Sequence, residues 1–220
     1  MVADWELLLK VRLNMPNNTP LYLVDDDEAI LDSLSFLLGN YGLNPKAFAS
    51  GSAFLDSVDL QLPGCVILDS KMPQLSGQEL HQRLQQQQSP LAVIFLTGHG
   101  DVPMAVDAFK QGAFDFFQKP VQGSALAQSI EKAFEYSLQR HQALQQLARI
   151  DSLSDRERQL FQLVLAGHTN KQMAETLFVS LRTIEVHRAN MMRKLDATNV
   201  AELLKYAAIV EESSAAQPDS

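Results

Sequence analysis

Several side chains in the first half of this sequence have the types and spacing to handle a phosphoryl group. Asp25, Asp26 and Asp27 follow the apolar run LYLV (21–24), and Asp69 follows CVIL (65–68). Thr97 follows LAVIFL (91–96), and Lys119-Pro120 follows AFDFF (113–117). A lone Asp behind an apolar run is ordinarily a helix cap or a turn former. Several carboxylates, a hydroxyl and an ammonium behind successive runs are a different matter, because in a parallel sheet they would share one edge. Clustered carboxylates raise one another's pKa unless a cation sits among them. Mg²⁺ suits such a place, being oxygen-loving and satisfied by one or two carboxylates, water and a phosphate. Lys119 could neutralise a transferred phosphoryl oxygen and Thr97 could donate to another, and positioning with charge neutralisation is most of what phosphoryl transfer requires.

The elements that must position these groups are legible as an alternation. The runs at 21–24, 44–49, 65–68, 91–96 and 113–117 read as five strands, and helical spacing recurs near 28–39, 51–58, 77–86, 101–111 and 122–138. Gly42, Gly64, Gly77 and Gly112 fall at the joints, where turns and helix ends need them. Strands that are apolar throughout and separated by helices predict a parallel sheet covered on both faces, an α/β doubly wound (flavodoxin-like) domain. In such a sheet ligands gather at the carboxyl ends of the strands.

Bulk properties bound the reading. The 220 residues are 46% hydrophobic and 20% charged, enough for sizeable cores and comfortable for two domains. No apolar stretch reaches membrane-spanning length, and MVADWELLLKVRLN lacks the layout of a secretory signal, which points to a cytoplasmic protein without membrane contact. Met15 offers a second start. The single Cys65 excludes an intramolecular disulfide and reads as a small buried side chain. His81, His99, His141, His168 and His187 show no zinc-ligand spacing, and no phosphate-cradling glycine loop is present. The net charge of -8 hides an asymmetry: residues 1–150 hold 10 Lys and Arg against 16 Asp and Glu, whereas residues 151–210 hold 8 against 7.

LVDDDE, ILDSKMPQLSG, FLTGHGD and FFQKP, in that order, resemble the receiver domain of two-component response regulators. The resemblance implies that Asp69 is the phospho-acceptor, taking its phosphoryl group from a sensor histidine kinase. It implies a Mg²⁺ (or Mn²⁺) site made by Asp25, Asp26, Asp69 and the Lys71 backbone carbonyl. Thr97 and Lys119 would contact the phosphoryl group, Phe116 would be the aromatic switch, and Lys119-Pro120 would be cis. Phe116 lacks the hydroxyl of a tyrosine, so any switching must come from ring burial alone, and a plain core position beside Phe114 and Phe117 stays open as the alternative. A receiver of this kind catalyses only its own phosphorylation and slow dephosphorylation.

Residues 152–210 carry no strand candidate. Ser154 with Glu157 forms a capping-box pattern, Gly167 ends that helix, and a second runs from Asn170 to about Leu177. FVS makes a turn with Ser180 as the next cap, a third helix reaches about Leu195, and a short fourth starts from Asn199. Two helices joined by a short turn make a helix-turn-helix unit. Ile184, Met191 and Leu195 share an apolar stripe, with Arg182, Arg188, Arg193 and Lys194 off it; these cations alone fit a solvated face as well as a nucleic-acid contact. LSDRERQ, GHTNKQMAETL, VSLRTIEVHRANMMRKL and AELL resemble the DNA-binding domain of the LuxR/FixJ class of transcription regulators. The resemblance implies DNA contacts by Thr183, Glu185, Val186, His187 and Arg188, with Arg182 on the same helix, and by Asn170 and Lys171 on the DNA backbone.

The expected organisation is an N-terminal extension (1–18), a receiver (19–136), a helical linker (137–151), an all-α four-helix helix-turn-helix domain (152–210) and a disordered tail (211–220). The expected function is a transcriptional regulator that is phosphorylated on Asp69, becomes a homodimer and binds promoter DNA, with RNA polymerase as a further candidate partner. LSGQELHQ, LAVIFLTGHGDVPMAVDAF and FFQKPV are similar to regulators of tetrathionate respiration, which implies a kinase sensing tetrathionate or thiosulfate. Two other classes stay open on the residues: a phosphate-sink or protein-interaction receiver without DNA binding, and a phosphatase using Asp69 as a transient nucleophile.

Overall fold

The computed structural model describes residues 19–98 and 112–207. The expected helix at 101–111, His99, the N-terminal extension and the tail lie outside the described residues. The chain divides into two compact units that part between His141 and Gln142.

In the first unit five parallel strands take the order β2-β1-β3-β4-β5, with β1 Leu21–Val24, β2 Lys46–Phe48, β3 Cys65–Asp69, β4 Ala92–Thr97 and β5 Asp115–Gln118. This is the doubly wound order whose switch point lies between β1 and β3. Helices α1 (Glu28–Gly39), α2 (Gly51–Ser57), α3 (Gly77–Gln86) and α4 (Gly123–Asp151) accompany the strands. Side chains alternate across the sheet as the pleat requires. Val66 and Leu68 join Phe54, Leu80 and Phe95 in one core, while Cys65 and Ile67 join Leu38, Ile94 and Ile130 in the other. The three central strands are buried at every position, as their unbroken apolar runs predict. The outer strands are not: β2 buries only Phe48, and β5 is half-exposed, because an edge strand lacks a neighbour on one side.

Local chemistry starts the helices where they begin. The Asp27 carboxylate accepts from Ala29 N at the head of α1, and Ser76 and Glu79 make a reciprocal capping box at the head of α3. Helix α4 runs unbroken from the segment expected at 122–138 through the expected helical linker to Asp151, since no Gly or Pro interrupts SLQRHQALQQLARID.

The second unit contains α5 (Asp155–Leu165), α6 (Asn170–Leu177) and α7 (Leu181–Lys194), then a 3₁₀ turn Val200–Leu203 leading into helical residues 204–207. Ser154, Thr169, Ser180 and Asn199 cap these elements. Leu160, Phe161, Met173, Ile184, Met191 and Tyr206 fill one core. The turn between α6 and α7 passes through Phe178 at φ 55°, ψ 45°, a left-handed conformation that costs a non-glycine residue about 1–2 kcal/mol.

Candidate functional site

Strand register alone brings the first group of candidate residues together. Val24 pairs with Leu68, so Asp25 and Asp69 leave adjacent strands side by side. Thr97 pairs with Gln118, so Lys119 emerges next to the end of β4, where its N–H donates to the Thr97 carbonyl at 2.7 Å. The Lys119-Pro120 peptide is cis. Lys119 Nζ lies 2.6 Å from Asp25 Oδ2 and 2.7 Å from Asp69 Oδ1, forming an ammonium bridge between two buried carboxylates. Each carboxylate uses its other oxygen to accept a backbone N–H: Asp25 from Asp27 at 3.0 Å, and Asp69 from Lys71 at 2.8 Å. Burial by itself would lower the Lys119 pKa, but the hydrogen bonds and charges of Asp25 and Asp69 outweigh it and hold the ammonium above its ordinary value.

The triplet of aspartates divides its labour in a way that sequence cannot apportion. Asp25 is buried in the site, Asp26 is exposed beside it, and Asp27 is the helix cap. The cap reading therefore belongs to Asp27 and not to Asp69. Thr97 is buried at the end of β4, and Phe116 is half-buried against the core that contains Phe95 and Met72. Gly77, unremarked as a site residue in the sequence, sets the rear wall: a Cβ there would collide with the Asp69 carbonyl oxygen, so only glycine lets α3 begin so close to β3.

Among the described residues no three His, Cys, Asp or Glu side chains surround a single point. The site instead offers two buried carboxylates with a third aspartate exposed beside them and backbone carbonyls at the loop. That all-oxygen set, with one or two carboxylates, fits the coordination habit of Mg²⁺.

His81 is a feature whose environment its sequence position did not reveal. It is buried on α3, edge-on to Phe95 at 5.6 Å between ring centroids, and its Nδ1 has no hydrogen-bond partner among the described residues. Burial, with a smaller contribution from the Arg140 charge, pushes its pKa down to about 4, so it is a neutral core residue at pH 7.

In the second unit, α6 and α7 form the helix-turn-helix pair. Lys171, Arg182, Glu185 and Val186 are exposed, while Asn170, Thr183, His187 and Arg188 are half-buried. The Thr183 hydroxyl shares a 2.8 Å hydrogen bond with the Ser180 cap. Arg188 Nη1 donates to Asn170 Oδ1 at 2.8 Å, linking the start of α6 to the middle of α7. Those two side chains, with Glu185 and Met192, line an open groove of about 520 Å³. The structure removes Lys194 from the surface cations: its ammonium lies 2.6 Å from the buried Glu157 carboxylate and 2.9 Å from the Ser152 carbonyl. Arg193 bonds Asn190, one helical turn away.

Comparison with known proteins agrees with this two-part architecture. Residues 21–131 match the response regulator receiver domain, and residues 151–207 match the bacterial regulatory proteins of the luxR family. The chain is 44% identical over 191 residues to the transcriptional regulatory protein FixJ of Bradyrhizobium diazoefficiens, covering 85% of this chain and 93% of that one. It is 42% identical over 185 residues to the tetrathionate response regulatory protein TtrR of Salmonella typhimurium, covering 84% and 90% respectively. Among solved structures, the response regulator StyR superposes with a TM-score of 0.67 at 35% identity, covering 87% of this chain and 99% of StyR. Full-length FixJ from B. japonicum gives a TM-score of 0.53 at 42% identity, covering 87% of this chain and 96% of that one.

Proposed function

The chain belongs to the NarL/FixJ class of two-component response regulators, phosphorylation-activated transcription regulators with a LuxR-type DNA-binding domain, and from that premise we propose how its own residues act. Asp69 is the acceptor. Its carboxylate oxygen attacks the phosphorus of a phosphohistidine on the sensor kinase, the P–N bond breaks, and the imidazole leaves with the bonding electrons. The observation that carries this reading is the Lys119 ammonium held between Asp25 and Asp69, which sets a cation against both buried carboxylates where phosphoryl oxygens would arrive.

Receiver domains generally bind Mg²⁺ at an acidic pocket. Here Asp25, Asp26, Asp69 and the Lys71 carbonyl would hold it, and the ion supplies charge neutralisation to the transferred group. Thr97 donates its hydroxyl to a phosphoryl oxygen. Lys119 exchanges one carboxylate for the phosphoryl group, and the half-buried Phe116 ring packs inward as that end of the sheet adjusts. Phosphorylation adds charge and acceptor oxygens at the strand edge and drives homodimerisation. Arg182, Thr183, Glu185, Val186, His187 and Arg188 then face promoter DNA, with Asn170 and Lys171 on its backbone, and RNA polymerase is engaged from the bound dimer in the cytoplasm. On the likeness to TtrR, the signal is a sulfur oxyanion; a cognate kinase that phosphorylates the chain with no response to tetrathionate or thiosulfate would remove that assignment.

The test is a gel-shift titration of promoter DNA with the full chain, with and without acetyl phosphate. Phosphorylated protein binds more tightly, and affinity falls steeply with salt because phosphate contacts release counterions. Lys171→Ala weakens binding to all sequences, whereas Arg188→Ala costs an extra ~1–3 kcal/mol at the specific site. Binding indifferent to phosphorylation would remove the activation step, and absent binding would leave a receiver that acts as a phosphate sink or protein-interaction module.

A further inference from the structure

Phe178 sits at the centre of the helix-turn-helix, where α6 gives way to α7, and neither local preference nor packing accounts for it. Its φ of 55° is a position that glycine or asparagine takes without strain. Among the described residues, the other non-glycine positions with positive φ are Gln74, Gln88 and Asp196, all polar. Its side chain is 94% exposed, so the ring gains almost nothing from burial. The helix stop is satisfied without it: Val179 N–H donates to the Ala174 carbonyl at 3.0 Å, and Val179 packs against the core, the hydrophobic contact such a stop uses. Two residues on, Ser180 caps α7 and Leu181 opens that helix 51% exposed. An aromatic held at a strained and exposed turn points to a contact made outside the chain.

We propose that Phe178 contacts DNA, its ring set against the apolar part of the duplex, a thymine methyl or a deoxyribose face. The proposal rests on the helix-turn-helix binding DNA. It follows from continuity with that interface: the turn immediately precedes the helix that such units place in the major groove, where thymine methyls are the apolar features on display. An anionic backbone would not favour an aromatic over the cations available in this unit, so the ring's partner is carbon.

The experiment uses the full chain phosphorylated with acetyl phosphate and a duplex selected by the wild-type protein from a random pool. Phe178→Gly and Phe178→Asn suit the left-handed turn, so both should melt at or above the wild-type temperature. Both should bind the selected duplex about tenfold more weakly, with Phe178→Leu restoring most of the loss. Replacing thymine by uracil in that duplex separates the two partners. Weakening of the wild type with no change in Phe178→Gly assigns the methyl; an unchanged wild type beside a weakened Phe178→Gly assigns the sugar. Affinity of Phe178→Gly and Phe178→Asn within twofold of wild type overturns the proposal, and a simultaneous fall in transcription with purified RNA polymerase would move the contact to protein. If the wild type selects no duplex, the DNA-binding reading itself has failed.

Discussion

Lys119→Ala is the perturbation whose size the structure specifies most directly. Asp25 and Asp69 are 4% and 8% exposed, and the Lys119 ammonium within 2.7 Å of each is the cation between them. Removing it leaves two buried carboxylates facing each other. Breaking a buried ion pair costs about 3–5 kcal/mol, and the 21% exposure of the Lys119 side chain places this one at the lower end, about 3 kcal/mol. For a unit of this size that corresponds to a fall of about 10 °C in melting temperature. The assay is thermal unfolding of the full chain by circular dichroism, in chelator and then with Mg²⁺. The variant should recover more stability from Mg²⁺ than the wild type does, and Asp25→Asn added to it should restore part of the loss. Because the folded pKa of Lys119 is raised, its contribution is complete below the ordinary value of 10.5 and disappears as pH climbs through the raised one. The gap between wild type and variant therefore closes only in strong base. A variant melting within ~2 °C of wild type in chelator would refute the reasoning.

Glu157 gives the second unit an acid-sensitive anchor. Burial acts to raise its pKa, but bonds from Lys194 and from the Ser154 backbone and hydroxyl prevail and lower it below 4.5, so its contribution is present above that value and lost as pH falls through the lowered one. Glu157→Gln should flatten that stretch of the pH–stability curve, read by urea unfolding. Gly77→Ala forces a methyl into the Asp69 carbonyl and should cost about 1–3 kcal/mol while slowing phosphorylation, measured by melting and by acetyl phosphate uptake. Asp26→Asn leaves the buried Asp25–Lys119–Asp69 bridge in place, so stability should hold while the Mg²⁺ concentration for half-maximal phosphorylation rises.

The central strands were legible because β1, β3 and β4 are buried on both faces and their sequences are unbroken apolar blocks. Once the strands are aligned, the convergence of Asp25, Asp69, Thr97 and Lys119 follows from their common position at strand ends. What local spacing does not encode is which member of a run enters the site. Asp25, Asp26 and Asp27 differ in fate only because register sends one inward and the next helix needs a cap from another. Long-range pairing is equally hidden: Lys194 reads as a surface cation on α7 until folding brings it to Glu157, and Arg188 and Asn170 meet only across the turn.

The central claim is that Asp69 takes the phosphoryl group at a cation-bearing strand edge. The most direct measurement treats wild type and Asp69→Asn with acetyl phosphate and Mg²⁺, traps the acyl phosphate by borohydride reduction, and locates the modified residue by peptide mass. The wild type should show homoserine in place of Asp69, only with a divalent cation present, and folded Asp69→Asn should show none. Uptake by Asp69→Asn at the wild-type rate, or wild-type uptake in chelator, would contradict the account.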